Sequence, residues 1–313
     1  MSKAIGFIGL GVMGFHMAGH LSKYHELSVF NRSLEKTNNW TKEFNGFKCD
    51  TVKDVCQRSD ILILCLCNDK DVRDIIFEKE GVLENLKPDS LIVDHTTTSS
   101  DLPIEINESL NSKGIYFLDA PISGGQPGAE KGQLSIMVGG DESIFDKYKF
   151  ILEPYSKFIK YMGPSGSGQL TKMVNQICIA GLLQGLSEGM NFSDRVGLDT
   201  NEVIDVISKG AAQSWQMENR ADSMIKDFYN HGFAVDLMSK DLKIVLDKAK
   251  DSNINMEVTN LVNNYYKEIQ KAGGGKWDTS SLYKRYLLIF CICLLYTSPS
   301  PRDVEESRMP SSA

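Results

Sequence analysis

Through the first half of the chain the apolar residues come in short unbroken runs: Ala4–Ile8, Leu27–Phe30, Ile61–Leu66, Leu91–Val93, Tyr116–Asp119, Leu134–Val138 and Phe158–Tyr161. Runs without polar alternation fit strands covered on both faces, as in a parallel sheet. Helical stretches alternate with them, which predicts an α/β layer structure. The pattern then changes. Gly163–Gly197 opens with glycines and serines and runs on without a proline. Its apolar residues Leu170, Met173, Val174, Ile177, Ile179, Leu182, Leu183 and Leu186 cover most of the circumference of a helix, and such a helix is usually buried. Beyond it Thr200–Ser208, Trp215–Phe228, Asp236–Lys250 and Asn255–Ala272 read as helices, separated by Gly210, Gly232 and Gly273–Gly275. The expected organisation is an α/β domain over residues 1–163 and an all-helical domain over 164–287, joined by one long helix.

Two polar residues interrupt the first turns of that helix. Lys172 and Asn175 are three apart and share a face. An ammonium and an amide on an otherwise buried face are costly unless they serve a site or find partners. The plainer reading is a lysine reaching solvent beside a capping asparagine.

The chain start carries a second signal. After Ala4–Ile8 comes Gly9-Leu10-Gly11-Val12-Met13-Gly14, a G-x-G-x-x-G between a strand and an apolar helix. The first glycine allows a tight turn, the second lets backbone approach a pyrophosphate, and the third lets helix and strand pack closely. The helix N-terminus then faces the phosphates. In this context the motif predicts a dinucleotide site. The second strand ends in Asn31-Arg32-Ser33. A carboxylate at that point would bind ribose hydroxyls, as NAD sites usually do, whereas an arginine suits a 2′-phosphate. NADP(H) is therefore expected over NAD(H), with NAD(H) still usable; the alternative is a surface arginine beside a helix cap. Asp94-His95-Thr96-Thr97-Thr98-Ser99-Ser100 follows the Leu91–Val93 strand, so its hydroxyls stand at the carboxyl end of the sheet, where α/β proteins bind ligands. His95 has no carboxylate partner in view and reads as structural. Ser123-Gly124-Gly125 follows another strand and can turn amides inward as an anion nest, or simply make a tight turn.

Composition narrows the classes. The chain has 313 residues, a net charge of −7 and 24% charged residues, with no basic run, so nucleic acid is not an expected partner. Its apolar runs are too short for a bilayer, and the N-terminus lacks a signal-peptide pattern. Seven cysteines carry no metal-ligand spacing, and no metal is expected. Cys65 and Cys67 read as buried small hydrophobes. Reduced thiols and a cytosol-like compartment are expected.

These motifs, namely GFIGLGVMG, DHTTTS, DAPISGGQPGAEKGQLSIMVGG, GSGQLTKMVNQ and SKDL, resemble in order and spacing the β-hydroxyacid dehydrogenases, from Ile5 to about Leu282. That family includes 3-hydroxyisobutyrate dehydrogenase, tartronate semialdehyde reductase and the glyoxylate/succinic semialdehyde reductases. The resemblance implies a Rossmann domain, a long connecting helix and an all-helical domain. It also implies hydride transfer between a nicotinamide and a small 3-hydroxy acid or its semialdehyde. Carried over by position, Lys172 is the catalytic lysine and Asn175 the substrate-orienting asparagine. Ser123, Gly124 and Gly125 hold the substrate carboxylate, and Thr97 stands at the nicotinamide. Leu66 and Cys67 match a cofactor-lining pair that is often Leu-Pro, with the ring's rigidity missing here. Lys240 reaches the cofactor from the helical domain, and Gln176 replaces a second asparagine. A same-fold alternative, 6-phosphogluconate dehydrogenase, needs a longer helical domain. A non-catalytic NADP-binding module would predict loss of Lys172 or Asn175. The long apolar helix also leads us to expect a homo-oligomer.

The last residues differ in kind. Cys293–Ser298 can be encoded by TGT CTC TTA TAC ACA TCT, which resembles the transposase end sequence used in sequencing libraries. Residues 288–313 are expected to be an unpacked tail, adapter-derived from about 293.

Overall fold

The computed structural model describes residues 3–286. The chain alternates β1 (Ala4–Ile8), α1 (Gly14–Leu21), β2 (Glu26–Phe30), α2 (Leu34–Glu43), β3 (Phe47–Lys48), α3 (Val52–Gln57), β4 (Ile61–Leu64), α4 (Asp69–Phe77), α5 (Val82–Asn85), β5 (Leu91–Asp94), α6 (Asp101–Asn111) and β6 (Tyr116–Asp119). It continues through β7 (Ile122–Ser123), α7 (Gly125–Glu130), β8 (Leu134–Gly140), α8 (Glu142–Tyr148) and β9 (Ser156–Gly163). The helical part is α9 (Ser167–Arg195), α10 (Thr200–Ile207), α11 (Trp215–Ile225), α12 (Val235–Asp251) and α13 (Glu257–Lys271). This is a Rossmann-type α/β domain followed by an all-α region, with one long helix between them.

The strands form one nine-stranded sheet in the order β3-β2-β1-β4-β5-β6-β8-β7, with β9 paired to β8. Strands β1 to β6 are parallel, and β8 runs antiparallel to β6. The unbroken apolar runs have a simple cause. Successive side chains point to opposite faces, and each face is covered. Ile5, Phe7, Ile61 and Ile63 enter one core with Met17, Leu21 and Trp40. Ile8, Leu62 and Leu64 enter the other with Val55, Val72 and Ile106. Since β1 is flanked by β2 and β4, the order reverses at β1. The crevice of such a sheet lies at the carboxyl ends of the strands beside that reversal.

One expectation needs correction. The strand read as Ile61–Leu66 ends at Leu64. Cys65 still bonds to Ile8 O at 2.9 Å, but Leu66 N turns to Thr96 Oγ1 at 2.9 Å. The chain therefore leaves the sheet, and Cys67 is exposed rather than buried.

By internal contacts the described residues divide into two compact units, one of 3–178 together with 240–256, the other of 179–239 and 257–286. This division differs from a break at 163: it groups the first turns of α9 and most of α12 with the sheet. In the second unit Leu186, Met190, Met217, Met224 and Tyr283 form the core. Arg220 pairs with the buried Asp278 at 3.2 Å, and Asp278 also accepts from Phe233 N and Ser280 N. The tail at 288–313 lies outside the described residues.

Candidate active site

The glycine turn between β1 and α1 shows why each glycine is there. Gly9 has φ +105°, and a Cβ on it would sit 2.2 Å from Cys65 O. A Cβ on Gly14 would sit 2.0 Å from Gly9 O. Gly11 is different, since a Cβ there would meet nothing within 4 Å. Its bareness is not demanded by the protein's own packing; it keeps open space over the turn. The helix that follows has no side-chain cap and no acidic residue in its first turn. Unmasked amides and the dipole thus favour an anion in that space. Leu10 is buried in the core, Val12 is exposed at the tip, and Met13 packs against the core.

At the end of β2, Asn31 is already occupied. Its Oδ1 accepts from Leu10 N at 3.0 Å, and its Nδ2 donates to Ser33 O at 3.2 Å. The amide that replaces a carboxylate therefore holds the glycine turn. Arg32 is exposed and pairs with Asp71 Oδ1 at 3.1 Å. Ser33 is exposed at the N-cap of α2 with no side-chain capping bond.

The Thr96–Thr98 loop beyond β5 is held from several sides. Gln169 of α9 brackets it: its Nε2 donates to Thr96 O at 2.7 Å and its Oε1 accepts from Thr98 N at 3.0 Å. Lys240 Nζ donates to Thr97 O at 2.6 Å. Asp69 accepts from Ser99 N at 3.1 Å and from Ser99 Oγ. His95 is buried and bonded at both ring nitrogens, to Ala120 O at 2.6 Å and Tyr155 OH at 2.9 Å. Burial pulls its pKa down to about 4, so it is a neutral structural residue.

The first turns of α9 are fixed by Asp119, the last residue of β6. Its carboxylate accepts from Gly166 N at 2.8 Å and Gln169 N at 3.1 Å. Room for that carboxylate depends on Gly139 and Gly168, whose Cβ atoms would lie 2.5 and 2.7 Å from it. So anchored, α9 carries Lys172 to Ile122 O, where Nζ donates at 2.8 Å. Lys172 is only 8% exposed. Burial pulls its pKa from 10.5 to about 8; Asp241 pushes it up and Lys240 pulls it down. Ile122 is followed by Ser123-Gly124-Gly125, where Gly124 and Gly125 have φ of +136° and +62°.

From this turn a polar chain runs inward. Ser123 Oγ donates to Asn175 Oδ1 at 3.1 Å, and Asn175 Nδ2 donates to Gln176 Oε1 at 2.8 Å. Gln176 Nε2 donates to Asp241 Oδ2 at 2.6 Å, and Asp241 pairs with Lys240 at 2.8 Å. The chain ends at Thr97 O through Lys240. Thus Lys172, Asn175, Ser123, Thr97 and Lys240 are brought together within the sheet-bearing unit. Leu66 joins the same edge through Thr96, and the exposed Cys67 follows it in the chain. Gln169, Asp119 and Asp241 were not singled out by sequence reasoning. Their signals were thin: an acid closing an apolar strand, a glutamine just inside a helix start, and an acid beside Lys240. Among the described residues no group of His, Cys, Asp and Glu could hold a metal ion.

The chain is similar to known proteins over most of its length. Residues 4–163 match the family model for the NAD binding domain of 6-phosphogluconate dehydrogenase. Residues 166–286 match the family model for NAD-binding of NADP-dependent 3-hydroxyisobutyrate dehydrogenase. An uncharacterized oxidoreductase of Shewanella frigidimarina is 50% identical over 282 residues, covering 90% of this chain and 97% of that protein. The 2-hydroxy-3-oxopropionate reductase of Escherichia coli is 33% identical, covering 89% of this chain and 95% of its own length. The structure of Mycobacterium tuberculosis 3-hydroxyisobutyrate dehydrogenase with L-serine superposes with a TM-score of 0.82 at 26% identity, covering 91% of this chain and 99% of that one. A glycine turn shaped for a dinucleotide, a buried lysine at the strand ends and matches over nearly the whole described chain lead to one conclusion: the protein belongs to the β-hydroxyacid dehydrogenase family of NAD(P)-dependent oxidoreductases.

Proposed function

We propose that the chain interconverts a small 3-hydroxy acid and its semialdehyde, most like 3-hydroxyisobutyrate, with Lys172 as the proton carrier. The observation that carries this is the buried Lys172 ammonium on Ile122 O, beside the Ser123-Gly124-Gly125 turn. A bound nicotinamide supplies or accepts the hydride. In reduction, protonated Lys172 gives its proton to the forming alkoxide; in oxidation, neutral Lys172 takes it from the hydroxyl. A pKa near 8 keeps both forms accessible close to neutral pH. Asn175 orients the reacting oxygen, and Ser123, Gly124 and Gly125 hold the carboxylate. The 2-hydroxy-3-oxopropionate reductase among the relatives makes tartronate semialdehyde the second reading.

The protein's own residues fit the cofactor. Gly9, Leu10, Gly11, Val12, Met13 and Gly14 would cradle the pyrophosphate, which the open space over Gly11 leaves room for. Thr97, Leu66, Cys67 and Lys240 would line the nicotinamide end. We read the preference as NADP(H) over NAD(H). Asn31 removes a carboxylate and holds the turn, while Arg32 and Ser33 are exposed to meet a 2′-phosphate. An arginine–phosphate bond is worth roughly 1.5–3 kcal/mol, enough to set preference without excluding NAD(H). No helix among the described residues is long and apolar enough to cross a membrane. We read the site of action as the cytoplasm. We also read a homo-oligomer: α9 leaves Leu182 and Phe192 exposed, at 40% and 65%, and Val196 just past its end is 52% exposed.

Lys172→Ala should lower kcat by about 10²–10⁴-fold with cofactor Kd little changed; near-normal turnover with an intact circular dichroism spectrum would sink the assignment. In the wild type, kcat/KM for reduction should hold below about pH 8 and fall above it, while oxidation should rise to a plateau there. Rates against a panel of 3-hydroxy acids and semialdehydes should be highest for 3-hydroxyisobutyrate. Arg32→Ala should erase most of the NADP(H) preference and keep the NAD(H) rate; a wild type that prefers NAD(H) would refute the reading. Sedimentation at micromolar concentration should give a dimer or larger, and a monomer would contradict it.

A further inference from the structure

Arg32 and Asp71 belong to different parts of the sheet. Arg32 follows β2, while Asp71 lies in the first turn of α4, which follows β4. In the sheet order β1 stands between β2 and β4. The 3.1 Å pair between Arg32 Nη2 and Asp71 Oδ1 thus joins elements from both sides of the strand that carries the glycine turn. Those strand ends border the crevice in which a dinucleotide is held in such a sheet.

The two partners differ in how firmly they are held. The Asp71 side chain is 13% exposed, and that of Arg32 is 75% exposed. Asp71 accepts from Asn68 Nδ2 at 3.2 Å, and its N–H donates to Asn68 Oδ1 at 2.9 Å. Asp71 also sits in the first turn of α4, where a negative charge is favoured by the helix dipole. The carboxylate is the fixed partner and the guanidinium the mobile one. The pair itself adds little to stability, because an ion pair with so exposed a member is screened and entropically costly. Asp71 is already tied to its helix start without it. A pair that contributes little to the fold yet occupies the charged fork beside Asn31 has its consequence in ligand binding.

We propose that Asp71 is a specificity-determining residue, which competes with the 2′-phosphate of NADP(H) for Arg32 and so limits the preference for NADP(H) over NAD(H). This rests on Arg32 as the reader of the 2′-phosphate. A phosphate arriving at the fork must share Arg32 with a fixed carboxylate. NADH, with only a hydroxyl there, neither breaks the pair nor meets the repulsion. The competition therefore weakens one cofactor and leaves the other nearly unaffected.

The test measures Kd for NADPH and NADH, by isothermal titration calorimetry, on wild type, Asp71→Asn, Asp71→Glu, Arg32→Ala and the Arg32→Ala/Asp71→Asn double variant. Asp71→Asn keeps the side chain's size and the backbone bond to Asn68 while removing the charge. It should tighten NADPH by about three- to tenfold, the scale of one partly screened charge contact. NADH affinity should stay within about twofold, which also serves as the check that the site is intact. Asp71→Glu should stay near wild type, and the gain should vanish in the Arg32→Ala background. No tightening of NADPH in Asp71→Asn, or a gain that persists in full without Arg32, would overturn the proposal. An Arg32→Ala variant that keeps full NADPH affinity would instead sink the reading of Arg32 itself.

Discussion

Asp119 ends β6 with its carboxylate turned into the start of α9, where Gly166 N and Gln169 N donate to it. Burial pushes this carboxyl upward, and the helix amides pull it back. Amides in the first turn of a helix have no partners of their own, and a carboxylate supplies them from outside. Hydrogen bonds to a charged group contribute about 1.5–3 kcal/mol each, and a buried amide left without one costs a similar amount. This attachment decides where Lys172 lies, since a helix rises only about 1.5 Å per residue and Lys172 follows Gln169 by less than one turn. The same Gln169 clamps Thr96 and Thr98 with both ends of its amide. One buried acid thereby sets the register between the helix that carries the lysine and the loop beyond β5.

The lysine itself is an electrostatic compromise. Taking an ammonium out of water disfavours its charge, and here that lowers its pKa to about 8. Bulk burial of charge without partners would cost far more. The Ile122 carbonyl supplies one bond, and Asp241 opposes the shift from beyond Gln176. Asp241 also holds Lys240, which in turn holds Thr97 O. Ser123 and Thr97 are thus connected through a chain of side chains that each touch a neighbour.

Much of this was legible in the sequence, for physical reasons. Apolar runs without alternation demanded a sheet covered on both faces, and Ile61 to Leu64 divide between two cores as that requires. The glycine spacing announced its turn because Gly9 and Gly14 have steric reasons that no other residue meets. Lys172 and Asn175 stood out because polar groups on a buried helix face need a purpose. What stayed hidden depends on contacts distant in sequence. Asp119 acts on residues 47 and 50 positions away, and no local pattern encodes that reach. Asn31 was read as an absence of carboxylate, whereas its amide holds Leu10. Cys67 looked buried because periodicity cannot tell where a strand stops and its chain turns outward.

We propose that the Lys172 ammonium, placed by Asp119 and α9, meets the reacting oxygen of a small hydroxy acid whose carboxylate rests on the Ser123–Gly125 turn. The most direct measurement is a crystal structure of the ternary complex with a nicotinamide cofactor and 3-hydroxyisobutyrate. We expect Lys172 Nζ within hydrogen-bond distance of the substrate hydroxyl, the carboxylate on Ser123, Gly124 and Gly125, and the nicotinamide against Thr97. A substrate hydroxyl facing another side chain, with Lys172 pointing away from it, would rule out Lys172 as the proton carrier.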